Sequence, residues 1–133
     1  MTIKTMDKSA LQKGRDYAAE NLAPNIEKIL GERYDAMVPD MSESLIEWAY
    51  GRHYCREGLD AKTRQLCTVA ALTVLGGHTA PQLKINIEHA LKSGANKKEI
   101  AEAIWQMAVY GGLPAAINGL NTAKEVFEAQ KTQ

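Results

Sequence analysis

Two pairs of polar residues stand inside amphipathic helical patterns. Arg64 and Gln65 lie within AKTRQL, and Asn86 and His89 within INIEHALKSG. An arginine guanidinium is a planar, permanently charged fork that grips a carboxylate at two points. Primary amides donate and accept hydrogen bonds but do not titrate, so Gln65 and Asn86 can hold an oxyanion or a neutral ligand without moving a proton. Histidine can move one near neutral pH, and His89 follows Asn86 by three residues, on the same helical face. His53 is a second such imidazole, and Tyr110 offers a phenol just ahead of two glycines. Each residue also has a plainer reading. Arg64 can pair with Asp60 one turn away, the histidines can be surface or satisfied residues, and Tyr110 can be a packing aromatic.

Sulfur chemistry has less to work with. Cys55 and Cys67 form no C-x-x-C pair. Cys67 sits in an apolar helical context and reads as a buried structural thiol. Cys55 adjoins Arg56, whose charge would favour a thiolate. His53, His78 and His89 have no metal-ligand spacing, so neither a metal nor another cofactor is expected.

Helices must position these groups. Apolar residues recur at helical spacing from Ser9 to Leu30, with a break at Pro24, which predicts two helices meeting there. Asp40-x-x-Glu43 has the form of a capping box, opening a helix that stops near Gly51 or His53. Asp60 is the expected cap of a helix running to Gly76–Gly77. Pro81 and Gly94 bound the next one, Asn96-x-x-Glu99 caps another, and Pro114 starts the last. Trp48 and Trp105, at helical spacing among apolar neighbours, are assigned to core or interface. The expectation is an all-α, single-domain bundle of about six helices spanning 1–133, with N-terminal helices over 8–38.

Bulk properties narrow the function classes. The 133 residues carry sixteen basic and sixteen acidic side chains, so no electrostatic argument favours nucleic acid or an anionic membrane. The N-terminus has no apolar leader pattern and no apolar run spans a bilayer, so a cytoplasmic protein is expected. Small and apolar residues in AVYGGLPAAINGL exceed what a monomer would cover, and predict symmetric self-association.

From about Glu47 to Phe127 the chain resembles the carboxymuconolactone decarboxylase family. The resemblance rests on YGRHYCREGLDAKTRQL and on HALKSGANKKEIAEAIWQMAVYGGLPAAINGL. It implies the helical alkylhydroperoxidase D-like fold, assembled as a homotrimer or homohexamer. One branch removes carbon dioxide from γ-carboxymuconolactone in aromatic-acid breakdown. Another reduces peroxides with a C-x-x-C pair, whose positions fall here on Thr79 and Gln82. Against the family pattern, Gln65 stands where a glutamate is usual and Asn86 where a histidine is usual.

The resulting expectation is a decarboxylase-like protein acting on a small lactone or carboxylate. Arg64 would be the anion anchor, His89 or His53 the acid, and Gln65, Asn86 and Tyr110 the ligand contacts. The alternative is a non-catalytic oligomer of the same fold that binds a small molecule. A peroxidase using Cys55 or Cys67 stands third.

Overall fold

Ser9, Asp60 and Asn96 each open a helix by offering a side-chain oxygen to a backbone N–H two or three residues inside it, as their types predict. A computed structural model describes residues 8–131, and every regular element among them is helical. The first part of the N-terminal stretch read as lacking a leader lies outside the described residues. None of the described helices is long and apolar enough to cross a membrane. Contacts gather into two compact units, one ending at Leu59 and the other beginning at Asp60.

The first unit contains α1 (Ala10–Asn21), α2 (Ile26–Tyr34), α3 (Met41–Leu45) and α4 (Ile46–Tyr54). Pro24 separates α1 from α2 as expected, and Arg15 clasps Glu27 across the gap through two bonds of 2.8 and 3.0 Å. Asp40 stands at the N-cap position of α3 but forms no capping box. It adopts a left-handed conformation, φ 64°, and its side chain makes no cap bond. Asp35 does the comparable work instead: its carboxylate accepts from Ser42 N–H at 2.9 Å and Ser42 Oγ at 2.7 Å. Those two bonds hold the Asp35 carboxyl below its usual range.

The chain runs from α3 into α4 without a break, but α4 is wound as a π-helix. Side chains five apart therefore meet. Trp48 and His53 stack edge-on with ring centroids 5.3 Å apart, and Arg52 Nη2 lies 3.6 Å from Glu47 Oε1. Over two turns, apolar spacing does not distinguish this winding from an α-helix. Tyr17, Tyr50 and Tyr54 form a ring cluster between α1 and α4. Burial, then the neighbouring phenols, pushes Tyr50 up to about 12.

Close approach of α1 and α4 rests on two glycines. A Cβ on Gly14 would strike the Ile46 carbonyl, and one on Gly51 the Ala10 carbonyl. Both obstacles are backbone, so neither can swing aside.

The second unit contains α5 (Ala61–Leu75), α6 (Ala80–Lys92), α7 (Lys97–Gln106), α8 (Ala108–Gly111) and α9 (Leu113–Lys131). A single 3₁₀ turn, Gly77–Thr79, joins α5 to α6. The predicted helix from Asn96 to Gly111 is divided at Met107, and the capping box of Asn96 and Glu99 forms in full. Val69, Leu83, Ile87, Ile100, Ile104 and Val126 make the core. Each fully buried aliphatic side chain there contributes roughly 1.5–3 kcal/mol. The two tryptophans are not core residues: Trp48 is 60% exposed and Trp105 51%.

An alanine on an accessible helix normally stabilises relative to glycine, by about 0.4–1 kcal/mol. Gly14→Ala and Gly51→Ala are expected to do the reverse and lower stability by about 1–3 kcal/mol, as overpacking does. Gly58→Ala, where a Cβ meets nothing within 4 Å, is the neutral control. Urea midpoints of the three variants check this.

Candidate functional site

Gln65 occupies the second turn of α5, one turn before Val69 and two before Thr73, on the buried face of that helix. It is 0% exposed, and neither Oε1 nor Nε2 has a hydrogen-bond partner among the described residues. An amide so placed is poised for a partner of another kind, because burying one unpaired costs about 1–3 kcal/mol. Arg64, adjacent and half-buried, stands in the first turn of α5, where the helix dipole also favours an anion.

His89 and Asn86 lie on α6. The turn Gly76–Thr79 folds α6 back along α5, making an antiparallel pair. Gln65 is ten residues before the end of α5 at Leu75, and His89 is nine residues past the start of α6 at Ala80. At about 1.5 Å per residue, both lie roughly 14 Å from the turn, at the same end of the hairpin. His89 is 8% exposed, and its Nδ1 has no hydrogen-bond partner in the protein. Burial, followed by the charge of Lys92, lowers its pKa, so the imidazole is neutral at pH 7.

Asn86 is half-buried, and its Nδ2 donates 2.9 Å to the Gln82 carbonyl one turn back. That amide donor is engaged by its own helix, which leaves Asn86 better suited to accept a hydrogen bond than to donate one. Lys62 and Glu99 close the same end of the unit, linking the starts of α5 and α7 at 2.9 Å.

Other expected site residues fall elsewhere. Tyr110 is not in a cleft. It is 73% exposed on α8, on an apolar surface with Val109, Leu113 and Ile117. Cys67 is exposed rather than buried, because its position on α5 is off the face that Gln65 and Val69 share. His53 and Cys55 belong to the first unit. His53 is exposed against Trp48, and Cys55 Sγ donates 2.8 Å to the Gly51 carbonyl. Among the described residues no three His, Cys, Asp or Glu side chains are grouped to hold a metal ion. One buried polar residue was missed from sequence. Ser93, four residues past His89 at the end of α6, has a buried Oγ with no partner in the protein. Its spacing from His89 was the signal available.

A sequence model described as the carboxymuconolactone decarboxylase family matches residues 39–125. The chain belongs to this family. The match covers Arg64, Gln65, Asn86 and His89, and it runs across both units. One relative is 41% identical over 88% of this chain and 87% of its own length. It is an uncharacterized 15.0 kDa protein in the nqo9-nqo10 intergenic region of Paracoccus denitrificans. A 4-carboxymuconolactone decarboxylase of Acinetobacter baylyi is 33% identical over 67% of this chain and 65% of its own. A nitrosuccinic acid decarboxylase, npaB, of Metarhizium robertsii is 35% identical over 59% of this chain and 53% of its own.

For this family member the burial of His89 has a thermodynamic consequence. The folded state binds the imidazole proton more weakly than the unfolded chain, whose histidine titrates near 6.5. Stability therefore falls as pH drops through about 6.5 towards the lower folded value. Urea midpoints are expected to decrease between pH 7.5 and pH 5.5, and less so in His89→Gln. Equal decreases in both proteins would contradict the assignment.

Proposed function

We propose that this chain is a carboxy-lyase that removes carbon dioxide from a small lactone or related carboxylate, of the kind met in aromatic-compound breakdown. The observation that carries this reading is the buried, unpartnered Gln65 carboxamide beside Arg64, at the end of the hairpin where His89 also lies. The printed names of two relatives support it, since one is a decarboxylase of a carboxymuconolactone and the other of nitrosuccinic acid. A lactone carbonyl and a nitro group share one property: each can take the electron pair of a breaking C–CO₂ bond onto oxygen.

Arg64 holds a carboxylate of the substrate. The C–C bond to the departing carboxylate breaks, and its electron pair moves onto the acceptor oxygen, where the Gln65 N–H groups stabilise the charge. The pair then returns to carbon, which takes a proton, and carbon dioxide leaves. The net change consumes one proton from solvent, and His89 delivers it. Because His89 acts here in its protonated form, turnover rises as pH falls through a value below 6.5.

The assay is loss of the lactone's ultraviolet absorbance with γ-carboxymuconolactone and related lactones. Gln65→Leu is expected to lower kcat by about 10²–10³, the usual effect of deleting an oxyanion donor. Arg64→Ala chiefly raises KM. No turnover with any of these lactones removes the decarboxylase reading.

One observation favours a second reading, a binding protein of the same fold: neither Gln65 nor Asn86 titrates. In that case calorimetry detects the lactone bound but unchanged, and Gln65→Glu with Asn86→His introduces turnover.

Self-association belongs to either reading. Val109 is 75% exposed, and Val74, Leu75, Tyr110, Leu113 and Ile117 are exposed with it. The Gly111 backbone approaches Val74 so closely that a Cβ there would lie 3.1 Å from Val74 Cα, which brings α8 against the end of α5. An apolar surface of this extent is best buried against further copies of the chain as a homotrimer or homohexamer. Sedimentation is expected to give a trimer or hexamer mass, and Val109→Glu with Leu113→Glu to reduce it to that of a monomer.

A further inference from the structure

Three residues at one end of the second unit hold buried polar atoms that have no partner among the described residues. They are both ends of the Gln65 carboxamide, Nδ1 of His89 and Oγ of Ser93. Nothing in the proposed chemistry uses Ser93. It lies four residues past His89, and its backbone N–H donates 2.9 Å to the His89 carbonyl, so the last turn of α6 is still wound between them. Side chains four apart on a helix are neighbours, with Cβ atoms about 5–6 Å from each other. His89 Nδ1 and Ser93 Oγ make no direct bond, yet their spacing suits one small bridging molecule. By helical rise Gln65 stands about level with His89, on the buried face of α5.

A buried polar atom left unpaired is costly, and several in one place would consume much of a small protein's stability. A buried water commonly makes about three hydrogen bonds to such atoms. We propose that one ordered water bridges Ser93 Oγ, His89 Nδ1 and the Gln65 carbonyl oxygen, and that Ser93 is thereby a positioning residue that holds His89 as its Nε2–H tautomer.

The hydrogens balance. Ser93 donates its hydroxyl hydrogen to the water. The water donates one hydrogen to His89 Nδ1 and the other to Gln65 Oε1. His89 then carries its own hydrogen on Nε2, the nitrogen turned away from the water. Besides that N–H, the donors of the group left over are the Gln65 amide hydrogens. This last point rests on the decarboxylase reading, in which they meet the substrate oxygen; the water and the tautomer do not.

Long-range ¹⁵N–¹H correlation spectra of the imidazole in the resting protein test the proposal without any substrate. Wild type is expected to show only the Nε2–H form of His89, with a cross-peak between water and its Hε1 proton. Ser93→Thr, which keeps the hydroxyl, retains both signals. Ser93→Ala, which removes it, populates the Nδ1–H form to a tenth or more. A wild-type Nδ1–H tautomer, or a folded Ser93→Ala with the wild-type spectrum, overturns the proposal. If Ser93→Ala does not fold, the wild-type water cross-peak decides, and its absence overturns the proposal. A lactone assay that fails leaves these spectra as they are, so the two readings fail separately.

Discussion

The register of α5 against α6 is the constraint on which the second unit depends, and a four-residue turn sets it. Gly76 takes φ 108°, a conformation that side chains oppose, and Thr79 Oγ1 donates back to the Leu72 and Gly76 carbonyls at 2.6 and 2.9 Å. The first of those bonds satisfies a carbonyl in the last turn of α5, where partners within the helix run out. With the turn fixed, Gln65 and His89 fall at one level without any contact being needed to bring them there. The core residues Val69, Leu83 and Ile87 follow from the same alignment. Slipping α6 by one residue would rotate His89 by about a quarter turn and carry it off the buried face.

Gly119 shows how tightly the third helix is bound into this arrangement. A Cβ there would fall 2.8 Å from Ile104 Cγ2 and 3.0 Å from Thr73 Cγ2, so α9 touches both α5 and α7 along a stripe without side-chain thickness. Thr73 lies two turns beyond Gln65 on one face of α5. The site is thus carried by a helix whose inward face is pinned farther along, a rigid mounting suited to holding a polar group in a defined orientation.

Most of this organisation was legible in the sequence because its signals are local. Asp60 and Asn96 cap as their types predict, Gly94 closes α6 in a left-handed conformation, and Pro24 separates two helices. The errors came where one type of signal has two structural uses. Asp40 and Glu43 have capping spacing, yet Asp35 captures Ser42 from outside the helix, and Asp40 is left to turn the chain. Cys67 has apolar neighbours, but α5 carries apolar residues on its exposed side as well, including Val74 and Leu75, so composition did not reveal its face. The π winding of α4 was invisible for a different reason. The helix packs on α1 through Gly14 and Gly51 against backbone carbonyls, a relation between distant segments that local spacing does not display.

The amides at Gln65 and Asn86 follow opposite logic. Asn86 is half-buried and its donor is already engaged by the Gln82 carbonyl, so it behaves as a satisfied helix residue. Gln65 is fully enclosed with both ends unpaired. A side chain kept only for packing at such a position would be served better by leucine or methionine, which fill similar space without the desolvation cost. Retaining a carboxamide there is consistent with use of its hydrogen bonds, and it adds no charge to the end of the unit where His89 is buried. Burial, and then the charge of Lys92, keep the imidazole neutral. With a carboxamide at Gln65 and an imidazole kept neutral by its surroundings at His89, Arg64 is the permanently charged group of the three.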